Sequence, residues 1–314
     1  MSPVPLRVGT RGSALAMAQC SALAARFDGE VELVEITTQG DTDRSSLSRI
    51  GGAGVFVSAL RDALLDGTVD VAVHSMKDLP TARAEGIELA AVAKREDARD
   101  ALCARDGLAL AELPEGARVG TGSPRRAAQL RLARPDLEIV DIRGNVPTRL
   151  ARAQGDPATG EGGDLDAVVL AVAGLKRLGL EAAATEILDL VDFPTAPAQG
   201  ALAVEVRAGD AASRRAVAMT DHATTRAAAE AERLVLAGLE AGCSAPVAAT
   251  AEVADGMLFL SASVYATDGS RHLGASHAHT LDSMRPDELA EAARDVAGRT
   301  VAELLEAGAA ELVG

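Results

Sequence analysis

Residues 118–126 read Arg-Val-Gly-Thr-Gly-Ser-Pro-Arg-Arg, a short apolar strand that turns through glycine and serine into the start of a helix. The same opening, Arg-Val-Gly-Thr, stands at residues 7–10, again before a serine-containing turn and a helical stretch. Two copies of one strand–turn–helix unit predict two related α/β lobes that face each other. The match is four residues long, so chance is an alternative explanation.

Short apolar runs alternate with Ala- and Leu-rich helical stretches along the first two-thirds of the chain, which is typical of largely parallel sheets covered by helices. Beyond about residue 213 the pattern changes to that of an α+β domain. We predict strands at 6–8, 31–36, 69–73, 117–119, 137–142, 165–171, 247–253, 257–264 and 272–279, and helices at 14–27, 57–65, 125–133, 148–153, 224–240 and 286–307.

Two irregular segments separate the lobes. Residues 94–99 are highly charged, and residues 193–200 (FPTAPAQG) contain too much Pro and Gly for a regular element. Two crossings imply a chain that leaves the first lobe, builds the second and returns. We therefore expect an α/β protein of three domains. They are a first lobe of residues 1–94 and 195–215, a second lobe of residues 95–194, and a smaller α+β C-terminal domain of residues 216–314.

The composition excludes several classes of partner. The 314 residues carry a formal net charge of -15, which disfavours nucleic acid and anionic membranes. No apolar run approaches the roughly 20 residues that span a bilayer, and residues 1–6 show no signal region. The three cysteines are too far apart for a disulfide framework or a zinc site, so we expect a cytoplasmic protein. His277 and His279 would share one strand face without a third ligand, and we predict no metal.

A strand that ends in charged residues is the first candidate for chemistry. Residues 71–80 read VAVHSMKDLP, and ligands of open α/β sheets bind at the carboxyl ends of strands. Asp78, beside Lys77, could stay ionised there and face a cationic intermediate. Alternatively, Asp78 only caps the next turn, and the pattern alone specifies no reaction.

Arginines are concentrated in one part of this acidic chain. Residues 118–152 contain eight arginines, no lysine and three acidic residues. Arginine suits a bidentate grip on carboxylate or phosphate, and the helix start after Ser123 adds backbone N–H groups. The alternative is a solvated basic face, which we expect for Arg131, Arg134 and Arg152. A weaker anion site is predicted where residues 10–13 join strand to helix.

Cys243 lies between Gly242 and Pro246 in a loop that joins a helix to a strand. A buried structural cysteine and an exposed nucleophile are both compatible with this pattern. The surrounding sequence does not favour a cysteine protease, because no matching His and Asn or Asp arrangement is present.

Nine stretches carry a family resemblance. In chain order they are 10–16 (TRGSALA), 38–41 (TQGD), 51–56 (GGAGVF), 74–80 (HSMKDLP), 119–126 (VGTGSPRR), 143–149 (RGNVPTR), 171–179 (AVAGLKRLG), 199–201 (QGA) and 240–243 (EAGC). Together they resemble the porphobilinogen deaminase family over essentially the whole chain. Ala53 departs from the family pattern, since many relatives have lysine there, and residues 155–163 form an insertion.

The resemblance implies lobes like those of type II periplasmic binding proteins, with the active cleft between them. It makes Asp78 the catalytic carboxylate and Cys243 the thioether attachment point of a dipyrromethane cofactor. Arg49 and Phe56 are expected in the lid of the cleft. The residues expected to bind cofactor or substrate are Arg11, Ser13, Gln19, Ser75, Lys77, Thr121, Ser123, Arg125, Arg126, Arg143, Gly144, Asn145, Arg149, Arg177 and Gln199.

The implied activity joins four porphobilinogen molecules into a linear tetrapyrrole, which water finally releases. Each pyrrole carries an acetate and a propionate, so the arginines would meet a growing load of carboxylates. We expect a monomer that needs no protein partner. One rival is a two-lobed binding protein for a polycarboxylate. Another is an RNA-binding module, which the single Tyr and the absence of Trp disfavour.

Overall fold

A computed structural model of the chain describes residues 4–38, 54–155, 160, 162–242 and 245–313, with backbone alone for 54–56 and 313. The strands are β1 (Leu6–Thr10), β2 (Val31–Glu35), β3 (Val71–Ser75), β4 (Ile87–Val92), β5 (Asp100–Ala104), β6 (Arg118–Gly120), β7 (Glu138–Val140), β8 (Ala167–Ala171), β9 (Glu186–Ile187), β10 (Leu202–Arg207), β11 (Val247–Ala254), β12 (Met257–Tyr265) and β13 (His272–Thr280). The helices are α1 (Ala14–Ala24), α2 (Gly54–Leu65), α3 (Pro124–Ala133), α4 (Val146–Gln154), α5 (Val172–Arg177), α6 (Ala211–Val217), α7 (Ala223–Gly238), α8 (Pro286–Glu306) and α9 (Ala310–Val313).

Two of the sheets have the same topology. The first has the order β2-β1-β3-β10-β4 and the second β7-β6-β8-β5-β9. In each, the first three strands are parallel and the fourth runs antiparallel to its neighbours. The repeated Arg-Val-Gly-Thr begins at β1 and β6, which hold equivalent places in their sheets. The predicted α/β class is confirmed, with two matching lobes and a third, antiparallel sheet β11-β12-β13.

The chain crosses between the lobes in two irregular segments, which we call the crossovers. The antiparallel fourth strand of each sheet follows one of them. Residues 93–99 form no helix or strand and lead into β5, and residues 193–200 likewise lead into β10. The sequence patterns missed β4, β5, β9 and β10. Buried strands read as continuous apolar runs without alternation, and in β5 (DALCA) all five residues are buried.

Small aliphatic side chains build the cores. Val8, Val71 and Val204 pack in the first lobe, whereas the C-terminal domain packs α7 and α8 against its sheet around Leu258 and Val296. Because aromatics make up only 2% of the chain, close packing of Val, Leu and Ala must supply most of the hydrophobic stabilisation. No helix in the described ranges is long and apolar enough to cross a membrane.

A buried ionic cluster lies behind the strand that leads to Asp78. Glu205 on β10 accepts two hydrogen bonds from Arg61 at 2.7 and 3.0 Å, and His74 Nε2 on β3 lies 3.2 Å from the same carboxylate. Burial alone would raise the pKa of Glu205, but His74 and Arg61 outweigh it and lower the pKa to about 2. The cluster therefore ties α2, β3 and β10 together.

Candidate functional site

Asp78 lies where β3 leaves its sheet. A single turn of 3-10 helix, Met76–Asp78, follows the strand directly. The backbone N–H of Met76 donates to the carbonyl of Ala201, so this turn is anchored to the start of β10. The Asp78 side chain is half-buried, and its carboxylate has no hydrogen-bond partner in the described part of the chain. It is therefore available to a ligand.

Lys77 points across to the second crossover. Its Nζ donates a hydrogen bond to Gln199 Oε1 at 3.2 Å. Burial, with a smaller contribution from the charges of Arg126 and Arg125, lowers the pKa of Lys77 to about 8, although Asp78 and Asp100 act to raise it. These interactions bring Lys77 of the first lobe close to two arginines of the second. A lysine with such a pKa is typical of functional sites.

Asp100 joins these residues into a buried network. Its carboxylate accepts hydrogen bonds from Arg125 at 2.8 Å, Arg126 at 2.6 Å and Gln199 Nε2 at 2.7 Å. Burial raises the pKa of Asp100, but the two arginines outweigh it and hold the pKa well below its usual range. Asp100 was not among the site residues predicted from the sequence. The available signal was an acidic residue at the start of a continuous apolar run.

The two adjacent arginines of α3 differ in their surroundings. Arg125 is 3% exposed, and it also donates to Gln129 Oε1 at 2.7 Å and the carbonyl of Pro194 at 3.0 Å. Arg126 donates to the carbonyl of Val169 at 2.9 Å. The Nε of each is buried without a partner within the described residues. Both arginines therefore hold Asp100, and we expect Arg126 to add its charge to the ligand site beside Lys77.

The loop between β7 and α4 and the first turn of α4 add further positive charge. Burial lowers the pKa of Arg149 to about 10, and the charges of Arg126 and Arg143 contribute. Arg149 Nε donates to the carbonyl of Gly144 at 2.8 Å. Gly144 has φ +109°, which glycine adopts without strain. Cations that repel one another in a partly buried place favour an anionic ligand.

Three predicted site residues cap helices. The side-chain oxygens of Ser13, Ser123 and Asn145 accept hydrogen bonds from backbone N–H groups of α1, α3 and α4. Thr121 Oγ1 likewise accepts from the N–H of Ser123 at 3.2 Å. A Cβ on Gly122 would lie 2.5 Å from the carbonyl oxygen of Ile142, so only glycine fits this turn. These side chains fix the helix starts, whose dipoles favour anions.

The remaining predicted residues support the crossovers or the lobes. Ser75 Oγ donates to Gln19 Oε1 at 3.3 Å, a bond that joins β3 to α1. Arg177 donates to the carbonyl of Gly200 at 2.6 Å, and burial lowers its pKa. Arg11 lies half-buried between β1 and α1. Arg49, Cys243 and the side chain of Phe56 lie outside the described residues.

Of the arginines expected on a solvated face, Arg134 behaves differently. Besides its ion pair with Asp136, it donates to the carbonyls of Leu110 and Leu113 at 2.7 and 2.9 Å. It thus holds the turn that precedes β6. Arg152 forms an ion pair with Asp164 and is about one-third exposed, as expected of a surface pair.

All three domains meet at a small cavity of about 60 Å³. Lys77 contributes from the first lobe and Ser123 from the second, while Gly242 and Ala245 contribute from either side of Cys243 in sequence. The other lining residues are Pro124, Arg125, Ala196, Pro197, Arg233, Leu236 and Val247. Within the described ranges, no group of three or more His, Cys, Asp or Glu could hold a metal ion.

The fold and site together define a class of protein. It has two α/β lobes with the same sheet topology, joined by two crossovers, with lysine and arginine side chains gathered where the lobes meet a third domain. The chain belongs to the porphobilinogen deaminase family. Residues 6–215 match the family's "dipyromethane cofactor binding domain" and residues 226–307 its C-terminal domain.

Similar proteins align with this chain over nearly its whole length. The porphobilinogen deaminase of Leifsonia xyli subsp. xyli is 64% identical, over 98% of this chain and 94% of that protein. The porphobilinogen deaminase of Thermobifida fusca is 53% identical, over 100% of this chain and 97% of that protein. The predicted family is thereby confirmed. A solved lipoprotein of the YaeC family from Enterococcus faecalis is 16% identical with a TM-score of 0.40, over 69% of this chain and 90% of that one.

Proposed function

We propose that this chain is a hydroxymethylbilane synthase. It deaminates four porphobilinogen molecules, joins them head to tail on a dipyrromethane primer, and releases the linear tetrapyrrole by hydrolysis. We further propose a cytoplasmic monomer with the domain boundaries 1–94 with 195–215, 95–194, and 216–314. The three separate sheets support these boundaries.

The observation that carries the proposal is the cavity between the three domains. Lys77 and Ser123 line it together with the two residues that flank Cys243–Ser244 in sequence. The other two cysteines are poor candidates for cofactor attachment, because both are buried. Burial raises the pKa of Cys20 to about 11 and that of Cys103 to about 12, which disfavours their thiolates. We therefore assign the attachment to Cys243.

The residues around the cavity suit dipyrromethane, whose pyrrole rings carry acetate and propionate groups. Lys77, Arg125 and Arg233 line the cavity and offer positive charge, and Arg126 and Arg149 add charge close by. The buried Nε atoms of Arg125 and Arg126 lack a protein partner within the described residues. Cations near partly buried carboxylates act in a low dielectric, where charge-assisted hydrogen bonds are strong. When bound, the cofactor supplies the pyrrole α-carbon to which the first substrate unit is joined.

Asp78 is the proposed catalytic residue. As an acid it donates a proton to the amine that leaves porphobilinogen, and as a carboxylate it then holds the cationic pyrrole N–H. The same carboxylate accepts the α-proton that restores aromaticity after the new bond forms. Its lack of a hydrogen-bond partner among the described residues leaves both oxygens available for these steps. Lys77 and Arg126 bind the substrate's carboxylates.

A comparison of intact masses tests the proposal. We expect the purified protein to exceed its sequence mass by two linked pyrrole units, and Cys243→Ser to show no excess. The matched control is Cys20→Ser, a buried thiol that should leave the excess unchanged. Unmodified protein should gain the same mass on incubation with porphobilinogen and then form tetrapyrrole.

The rival is a two-lobed binding protein for polycarboxylates. It would bind porphobilinogen reversibly, gain no covalent mass and release no ammonia. That outcome, with protein shown to be folded by circular dichroism, would refute the proposed function.

A further inference from the structure

Glu232 lies on α7 in the C-terminal domain and is completely buried, at 0% exposure. Its carboxylate accepts four hydrogen bonds from three other segments. Two come from the guanidinium of Arg95, at 2.6 and 3.0 Å. The others come from the backbone N–H groups of Ala198 at 2.6 Å and Ala251 at 2.7 Å. One side chain thus holds both crossovers and β11.

The bond to Ala198 restrains an unusual backbone conformation. Ala198 has φ 62°, in the left-handed region that residues with a Cβ rarely adopt. Such a residue persists where its surroundings hold it in place. Arg95 adds a second restraint, since its Nε donates to the carbonyl of Gln199 at 2.8 Å. Glu232 and Arg95 therefore hold the peptide groups on either side of the Ala198–Gln199 bond.

Gln199 transmits this restraint to the anion site. Its side chain is 1% exposed. It accepts from Lys77 at 3.2 Å and from Arg126 at 3.4 Å, and it donates to Asp100 at 2.7 Å. A rotation of the backbone at Ala198 would carry the Gln199 side chain away from all three partners. The conformation of one alanine therefore helps to place Lys77 against Arg126, which Asp100 and the carbonyl of Val169 hold from the other side.

We infer that Glu232 is a positioning residue: from the C-terminal domain it holds the left-handed turn at Ala198, and through Gln199 this turn sets Lys77 and Arg126 for carboxylate binding. The kinetic consequence rests on the proposed function. Glu232 itself does not line the cavity. Its loss should therefore weaken substrate binding more than it slows the proton transfers at Asp78.

The test combines Glu232→Gln with a second change that removes the need for the restraint. Glu232→Gln should raise KM for porphobilinogen about tenfold and change kcat by less than about twofold. The factor of about ten is the conformational free energy of one left-handed alanine expressed as a ratio of binding constants. Amide hydrogen exchange of residues 195–203, measured without ligand, should accelerate by a similar factor. Adding Ala198→Gly should return KM to within about threefold of the original value, because glycine adopts positive φ without strain.

Ala251→Gly is the matched control, because Ala251 also donates to Glu232 but lies within β11. It should rescue nothing. An unchanged KM and exchange rate in Glu232→Gln, or equal rescue by the two glycines, would overturn the inference. The exchange measurement remains decisive if the wild-type protein shows no turnover, which would count against the proposed function alone. If Glu232→Gln does not fold, Ala198→Gly by itself should raise the thermal midpoint, and a lower or unchanged midpoint overturns the inference.

Discussion

Lys77→Arg should change how substrate capture depends on pH. Burial brings the pKa of Lys77 to about 8. The ammonium would then be about nine-tenths populated at pH 7 and about one-tenth at pH 9, because each pH unit changes the ratio of the two forms tenfold. If its charge binds a porphobilinogen carboxylate, kcat/KM should fall about tenfold between these pH values, since this parameter reports the free enzyme.

Arginine keeps its proton throughout this range. The part of the alkaline decline that belongs to Lys77 should therefore disappear in Lys77→Arg, whatever the absolute rate of the variant. Initial rates of tetrapyrrole formation from pH 6.5 to about 9.5 give the profile. The substrate's own amine titrates equally with every variant, so the difference between the two profiles is the measurement.

Lys94→Arg is the control, because Lys94 is exposed and its replacement should leave the profile unchanged. An alkaline limb of the same midpoint and depth in Lys77→Arg and wild type would refute the reasoning. It would mean that Lys77 does not bind substrate as a cation, despite its contact with Gln199.

Further substitutions test other parts of the molecule. Asp78→Asn should fold normally but lose about 10²- to 10⁴-fold in kcat, as expected for a lost general acid–base; a wild-type rate would exclude the catalytic role. Glu205 has its pKa lowered from 4.5 to about 2, so its ionised form stabilises the protein above pH 4.5, and this contribution is lost as the pH falls towards 2. Denaturant titrations should show that Glu205→Gln lowers the free energy of unfolding by about 3 kcal/mol at pH 7 and that this free energy then falls less steeply below pH 4.5. An unchanged decline at acid pH would contradict this. Gly122→Ala should destabilise the second lobe because its Cβ meets the Ile142 carbonyl, whereas Gly298→Ala, with open space in α8, should stabilise by about 1 kcal/mol; equal thermal midpoints would count against the turn geometry.

The sequence predicts best the elements that local patterns control. The helix expected at 286–307 is observed at Pro286–Glu306, and the strands expected at 257–264 and 272–279 extend only one residue further. These segments have regular apolar periods and clear turn residues at their ends. The repeated Arg-Val-Gly-Thr also pointed correctly to two lobes, since it begins at equivalent strands of matching sheets.

The residues that organise the site could not be found in this way. Asp100 is 99 residues from Gln199 in sequence, and Glu232 is 137 from Arg95. No local period relates such partners, and an acidic residue inside an apolar segment normally argues against burial. Similarly, β5 and β10 complete sheets whose other strands lie in distant parts of the chain. Sequence patterns indicated which residue types belong to the site, but tertiary packing decides which arginines face a ligand.

The buried carboxylate of Asp100 explains how a protein of net negative charge can hold a cluster of cations. Asp100 accepts from both Arg125 and Arg126, so one negative charge meets two positive charges inside the second lobe. Lys77 and Arg149 add charge nearby, and the pKa of each is lowered by burial and by neighbouring arginines. The local excess is thus held by rigid, buried partners and not by mobile surface side chains. Repulsion among these cations is therefore present before any ligand binds, and under the proposed function each carboxylate that binds would relieve it as well as form new hydrogen bonds.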